Sequence, residues 1–281
     1  MAAADPRRWT VAASSVTGRV RPQNEDRCGT FENASGAQLF AVADGMGGHR
    51  GGATASQLVL DSLAEAFTQA PEVTGEWLVE AVQDANRQVY DRASRAPGLR
   101  GMGTTLVAVA VDPAGQAWVA HVGDSRAYRL HAAQLVPLTE DHSVVAEMLR
   151  RGLLTPEEAK VHPRRNEILR SVGVAPSVEV DVCALELNAG DRLLLCSDGL
   201  SGVVSDAELE HLLADHAPAE TVERAIESAN DRGGPDNITA VVVEVPAPTV
   251  PSRAGRSVVA LVCLLLLVGA LLQFASVLMG S

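Results

Sequence analysis

Three acidic residues stand at the borders of apolar runs, each followed by Gly or Asn. Asp44-Gly45 follows the run 39–43, Ser197-Asp198-Gly199 follows 193–196, and Asp236-Asn237 precedes 238–243. Apolar runs of this length read as buried strands. A carboxylate at a strand end with a turn residue beside it points at a ligand rather than into the core. Three such carboxylates from distant parts of the chain can meet at one sheet edge. Donor sets made only of oxygen suit hard cations such as Mg²⁺ or Mn²⁺. One Asp-Gly alone is an ordinary turn starter that bonds its own backbone. The three together with the motifs below point to a metal site.

The elements that must carry these residues follow from periodicity. Strands are predicted over 38–44, 104–111, 116–122, 126–130, 177–184, 191–197 and 238–244. Helices are predicted over 52–69, 74–94, 142–151, 156–161, 205–214 and 218–230. Thr155-Pro156-Glu157-Glu158 and Ser205-Asp206-Ala207-Glu208 carry capping boxes, the first with Pro at the first helical position. The strands 104–111, 116–122 and 126–130 are joined by short turns, which implies an antiparallel meander. Two helices precede it together, so strands and helices do not alternate as βαβ. The fold class is α+β, with helices layered on sheets.

Composition narrows the function. The chain of 281 residues carries a net charge of −12 with pI about 5.0, and no basic stripe marks it for nucleic acid. Lys160 is its only lysine. Cys28, Cys183, Cys196 and Cys263 form no C-x-x-C pair, so neither a zinc site nor a thioredoxin-like motif is implied. The start of the chain, with Arg7 and Arg8 and no long apolar run, does not read as a secretion signal. Residues 1–9 read as a tail, 10–244 as the folded domain, and 245–256 as a linker with three prolines. Residues 257–279 carry no charge. As a helix they would reach roughly 34 Å, against a bilayer core of about 30 Å. Arg253 and Arg256 lie just before them, which predicts a single-pass anchor with the domain in the cytoplasm.

The motifs, in order, are Arg21-Pro22-Gln23-Asn24-Glu25-Asp26, Asp44-Gly45-Met46-Gly47-Gly48-His49, Gly103-Thr104-Thr105, Val122-Gly123-Asp124-Ser125-Arg126, Ser197-Asp198-Gly199-Leu200 and Gly234-Pro235-Asp236-Asn237-Ile238-Thr239. Any one of them is weak. The set, in this order and spacing, closely resembles the bacterial form of the PP2C (PPM) family of metal-dependent protein serine/threonine phosphatases. The resemblance covers about residues 10–244. It implies a four-layer α-β-β-α sandwich of two antiparallel sheets. It also implies a binuclear Mn²⁺ or Mg²⁺ centre held by Asp44, the Gly45 carbonyl, Asp198 and Asp236, with Asp44 bridging. Asp124 matches a position associated with a third ion in bacterial members. Glu25 and Asp26 match residues that act through metal-bound waters, and Arg21 matches the arginine that binds substrate phosphate.

Physical chemistry supports these roles. Packed carboxylates repel one another unless cations lie among them. A pair of ions about 3.5–4 Å apart acidifies a water held between them, which can then attack phosphorus in line. A guanidinium fork fits two phosphate oxygens. Many eukaryotic members have His directly after the Asp-Gly, a proposed acid for the leaving oxygen. This chain has Met46 there, and His49 is a candidate substitute. His142, near a helix start, is expected to serve the cap region. Residues 141–172 match the family's variable flap. Its Arg150, Arg151, Arg164, Arg165 and Arg170 either hold phosphopeptides or form a solvated basic face.

The expectation is a membrane-anchored, monomeric phosphatase that removes phosphate from Ser and Thr of proteins and opposes Ser/Thr kinases, themselves expected among its partners. The rivals are a hydrolase of small phosphoesters on the same fold and a membrane-tethered pseudophosphatase. The latter would lack core metal ligands, and none of the four core positions is missing.

Overall fold

Along the strands of the computed structural model, apolar side chains alternate between two interiors, as a period of two requires. Residues 9–47 and 51–246 are described by it. His49, the tail before Trp9 and the candidate anchor 257–279 lie outside them. Among the described residues, no helix is long and apolar enough to cross a membrane.

The strands are β1 (Thr10–Val16), β2 (Arg27–Glu32), β3 (Gln38–Ala43), β4 (Gly45–Met46), β5 (Gly103–Thr104), β6 (Leu106–Val111), β7 (Ala117–Val122), β8 (Arg126–His131), β9 (Gln134–Pro137), β10 (Asp181–Leu185), β11 (Arg192–Cys196) and β12 (Ile238–Glu244). The helices are α1 (Gly51–Gln69), α2 (Gly75–Arg95), α3 (Val144–Arg150), α4 (Pro156–Val161), α5 (Asp198–Ser201), α6 (Asp206–Asp215) and α7 (Pro218–Asp231). One antiparallel sheet has the order β1-β12-β11-β8-β9 and the other β10-β7-β6-β3-β2; β4 and β5 form a small ribbon.

Phe40, Val42, Val107, Val109, Leu193, Leu195, Val241 and Val243 fill the space between the two sheets. The alternate residues face the helices. Leu39, Ala41, Leu106 and Ala108 pack with Val59, Leu63 and Val82 of α1 and α2. Leu194, Ile238 and Val242 pack with Leu209, Leu213 and Val222 of α6 and α7. The result is the four-layer α-β-β-α arrangement, with central strands apolar on both faces.

Three expectations change, the first being the strand predicted over 177–184, which starts only at Asp181 as β10. The meander holds only for β6 and β7; β8 crosses to the other sheet and pairs with β9 and β11. The turn at Gly123, with φ of +107°, redirects the chain there. The expected box at Ser205 is half formed. The Ser205 hydroxyl accepts from Glu208 N, but the Glu208 carboxylate turns to Ser228 and Arg232. The box at Thr155 is complete.

Candidate metal centre

Register brings the acidic residues to one rim of the sandwich. Arg27 pairs with Ala43, so Asp26, just before β2, lies beside Asp44, just after β3. Cys196 pairs with Ala240, so Asp198 follows β11 where Asp236 precedes β12. Leu106 pairs with Val122, which sets the turn carrying Asp124 near the start of β6. Asp198 is also the first residue of α5, where a helix N-terminus favours negative charge.

Buried hydroxyls and amides hold this rim. Thr105 N and Thr104 Oγ1 each donate to Asp44 O at 2.8 Å, and Asp44 N donates to Thr105 Oγ1 at 3.0 Å. Ser197 Oγ and Thr239 Oγ1 both donate to Asp26 Oδ2 at 2.7 Å. Those two bonds join β11 and β12 of one sheet to the start of β2 in the other. Asn237 Oδ1 accepts from Glu25 N, and its Nδ2 donates to Thr17 O and Gln23 O. Arg21 Nη2 donates to Asp236 Oδ2 at 2.6 Å with the guanidinium half exposed, at the mouth of the carboxylate group. Gly45 has no room for a side chain: a Cβ would lie 2.3 Å from Gly52 O and 2.5 Å from Glu25 O.

The electrostatics are those of a group of carboxylates suited to cations. Asp26 Oδ1, Asp124 Oδ1 and Asp198 Oδ1 are buried without a hydrogen-bond partner among the described residues. Buried polar atoms otherwise find partners, because leaving one unpaired costs roughly 1–3 kcal/mol. Burial and then the charges of Asp26, Asp198, Asp124 and Asp236 push Asp44 well above the usual carboxylate range. Burial, then Asp198 and Asp141, raise Asp124 to about 7. Burial raises Asp26 to about 6 against the pull of Ser197 and Thr239, and burial followed by Asp236 raises Asp198. Divalent cations would satisfy the orphaned oxygens and remove the repulsion together. The residues present therefore fit the metal centre.

The sequence-predicted residues Arg21, Glu25, Asp26, Asp44, Gly45, Asp124, Asp198 and Asp236 thus fall at this rim. Glu25, half-buried, accepts from Gln23 Nε2 at 2.8 Å. His49 lies outside the described residues, while Met46 pairs with Gly103 in the small ribbon. His142 directly precedes the cap of α3, which is Ser143, its hydroxyl accepting from Ala146 N. Four of the five flap arginines are paired, Arg150 and Arg151 with Glu147, Arg164 with Glu167, and Arg170 with Glu179 and Asp181. Arg165 has no ion pair among the described residues. The supporting roles of Thr105, Ser197, Thr239 and Asn237 were not assigned from the sequence. The sequence marks each only as a polar residue near the end of an apolar strand, and its partners come from distant segments.

Three comparisons agree with this geometry. The sequence profile of the family Protein phosphatase 2C matches residues 19–241. The chain is 44% identical over 233 residues to the serine/threonine phosphatase stp of Listeria welshimeri, covering 81% of this chain and 92% of that one. The crystal structure of the Mycobacterium tuberculosis serine/threonine phosphatase PstP/Ppp superposes with a TM-score of 0.77 at 41% identity, covering 84% of this chain and 98% of that one. The catalytic domain of PstP in complex with two manganese ions gives 0.75 at 40% identity, covering 84% of this chain and 97% of that one.

Proposed function

The chain belongs to the protein phosphatase 2C family, and from that premise we propose that it hydrolyses phosphoserine and phosphothreonine of proteins, with Mn²⁺ or Mg²⁺ as cofactor. The observation that carries this reading is the set of orphaned, buried carboxylate oxygens of Asp26, Asp124 and Asp198 at one rim. Asp44, Asp198, Asp236 and the Gly45 carbonyl would hold two ions, with Asp124 offering a third place. Bound there, the ions supply an activated water and neutralise charge on the phosphoryl group. Arg21 grips the phosphate from the mouth of the site, trading its contact with Asp236 for phosphate oxygens. An open groove of about 720 Å³ is lined by Gln23, Arg27, Gln57, Asp61 and Arg92 among others, and Gln23 donates to Glu25. The groove gives room for a polypeptide, which favours phosphoproteins over small phosphoesters. Turnover of a phosphothreonine peptide with Mn²⁺ at a kcat/KM well above that for small metabolite esters is the expected result. A preference for the small esters would overturn it.

Arg21 itself gives a sharper expectation. Arg21→Ala raises KM and weakens inhibition by inorganic phosphate in parallel, each by about 10–100-fold, as expected for a charged hydrogen bond of roughly 1.5–3 kcal/mol. Steady-state kinetics with phosphate as inhibitor reads both. Unchanged KM and unchanged inhibition would remove Arg21 from the site.

The membrane reading rests on sequence. Residues 257–279 are uncharged and long enough to span, with Arg253 and Arg256 on one side, which supports a cytoplasmic domain tethered near phosphorylated membrane proteins, Ser/Thr kinases included. The full chain is expected to sediment with membranes and resist salt extraction. A fragment of residues 9–246 is expected to stay soluble with full turnover on a soluble phosphopeptide. Full-length protein in the soluble fraction contradicts the anchor.

A further inference from the structure

Gly123, which precedes Asp124, is held on both sides of its peptide by one residue. Gly123 N donates to His142 Nδ1 at 3.1 Å, and His142 N donates to Gly123 O at 2.9 Å. The turn has no slack elsewhere, because a Cβ on Gly123 would lie 2.6 Å from the Thr105 side chain. His142 is buried, and its ring stacks on His121 at 4.5 Å with 26° between planes. His121 is fixed in turn by donating from Nε2 to Glu140 O at 2.7 Å. Because His142 Nδ1 accepts from Gly123, its neutral ring carries the proton on Nε2. That nitrogen lies 3.4 Å from Asp181 Oδ2, and Arg170 donates to Asp181 Oδ1 at 2.6 Å. Burial, then the neighbouring His121 and Arg170, keep the ring's pKa below the usual histidine value, which favours the neutral form with a free Nδ1 lone pair. His121, His142 and Asp181 bring one ligand atom each within 4.8 Å of one another. The proton on Nε2 and the Arg170 guanidinium beside it make this cluster a clasp rather than a cation site. His142 O also accepts from Leu169 N at 2.7 Å, and Ser143 bridges Ile168, so the same residue ties down the base of the insertion 141–172.

We propose that His142 is a positioning residue that fixes Asp124 through the Gly123 peptide and links that acidic residue to the insertion. The inference rests on the phosphatase reading for its kinetic arm and on Asp124 as a metal ligand for its binding arm. The arrangement predicts a selective effect. A loosened Gly123 peptide lets the Asp124 carboxylate wander, and misplacing a ligand by disturbing its support typically costs 10–100-fold in metal affinity or activity.

The test uses His142→Ala, His142→Asn and Asp124→Asn, alone and combined, in the full chain. Turnover of a phosphopeptide is measured against Mn²⁺, and Mn²⁺ binding is measured separately by calorimetry. His142→Ala is expected to lower kcat and to weaken the last Mn²⁺ to bind, each by about tenfold. KM for the peptide should stay within about twofold, since Arg21 is untouched. His142→Asn, whose Oδ1 can accept from Gly123 N, should recover most of both losses. In the Asp124→Asn background, His142→Ala should add nothing, because both act on the same ion. If the alanine variant does not fold, His142→Leu replaces it, keeping bulk near Asp181 with no acceptor for Gly123. Multiplying effects in the double variant, or an asparagine variant no better than alanine, would overturn the proposal. A wild-type protein that binds Mn²⁺ yet hydrolyses no phosphoester would instead overturn the phosphatase reading, and the calorimetry would still decide the role of His142.

Discussion

Asp198→Asn abolishes most turnover while leaving the sandwich folded. The expected loss is on the order of 10³-fold, because a charged cation ligand worth several kcal/mol is replaced by an amide. The amide also offers N–H donors where Asp198 Oδ1 now lies buried without a partner. The backbone role of this residue survives, since Gly202 N still donates to its carbonyl at 2.7 Å. Burial and the charge of Asp236 both disfavour the Asp198 carboxylate. Removing that charge should therefore raise the melting temperature of the metal-free protein slightly while reducing the gain from Mn²⁺. This is the usual exchange between stability and function at a strained site. Assays with p-nitrophenyl phosphate and Mn²⁺, with thermal melts alongside, read both sides. Turnover near the wild-type value would refute the assignment of Asp198.

The second large effect is on stability and pH. In EDTA, the folded protein holds protons on its buried carboxylates that the unfolded chain releases. Asp26 titrates at about 6 and Asp124 at about 7, against 3.8 for an ordinary aspartate. Below about pH 3.8 both states are protonated and the contribution is complete. As pH rises through 6 and 7, the folded state must ionise these groups against one another and the contribution is lost. Mn²⁺ acts in the opposite direction, since it binds the deprotonated carboxylates and stabilises the fold by mass action. The melting temperature gained on adding Mn²⁺ should therefore be larger at pH 8 than at pH 5, by on the order of 5–10 °C. His142, kept neutral, destabilises the fold in acid, so Mn²⁺ and EDTA are compared at each pH and its effect cancels. A gain that does not change with pH would mean that these carboxylates do not belong to the metal site.

The sequence was most legible where burial was greatest. The central strands β3, β6, β7, β11 and β12 are mostly apolar, and the ends of β3, β11 and β12 place Asp44, Asp198 and Asp236. What it hid were the edges. Strand β1, with its run of small residues, β2, which is polar, and the short β9 were not anticipated. Strand β10 lies several residues later than expected, with four of its five residues exposed. All four are edge strands, and edges carry mixed, polar residues that alternation cannot single out. The crossing of β8 was equally hidden, because a three-residue turn inside one sheet and a crossing between sheets look alike until Gly123 is seen in its conformation. At the site, the candidate ligands stood out as carboxylates beside turn residues. The network beneath them was not, because Thr105, Ser197 and Thr239 meet their partners only through long-range pairing.

The last described strand is also a middle strand. Strand β12 lies between β1, from the start of the domain, and β11, and Asp236 immediately precedes it. During synthesis the other sheet can assemble early, from residues 27–185. The sheet that completes the site has a gap until residues 238–244 leave the ribosome, and closing it joins segments separated by more than two hundred residues, a slow step for any chain. A nascent or prematurely terminated chain thus carries most of the candidate acidic ligands and no assembled rim. It is expected to stay silent toward phosphorylated proteins until β12 has been made.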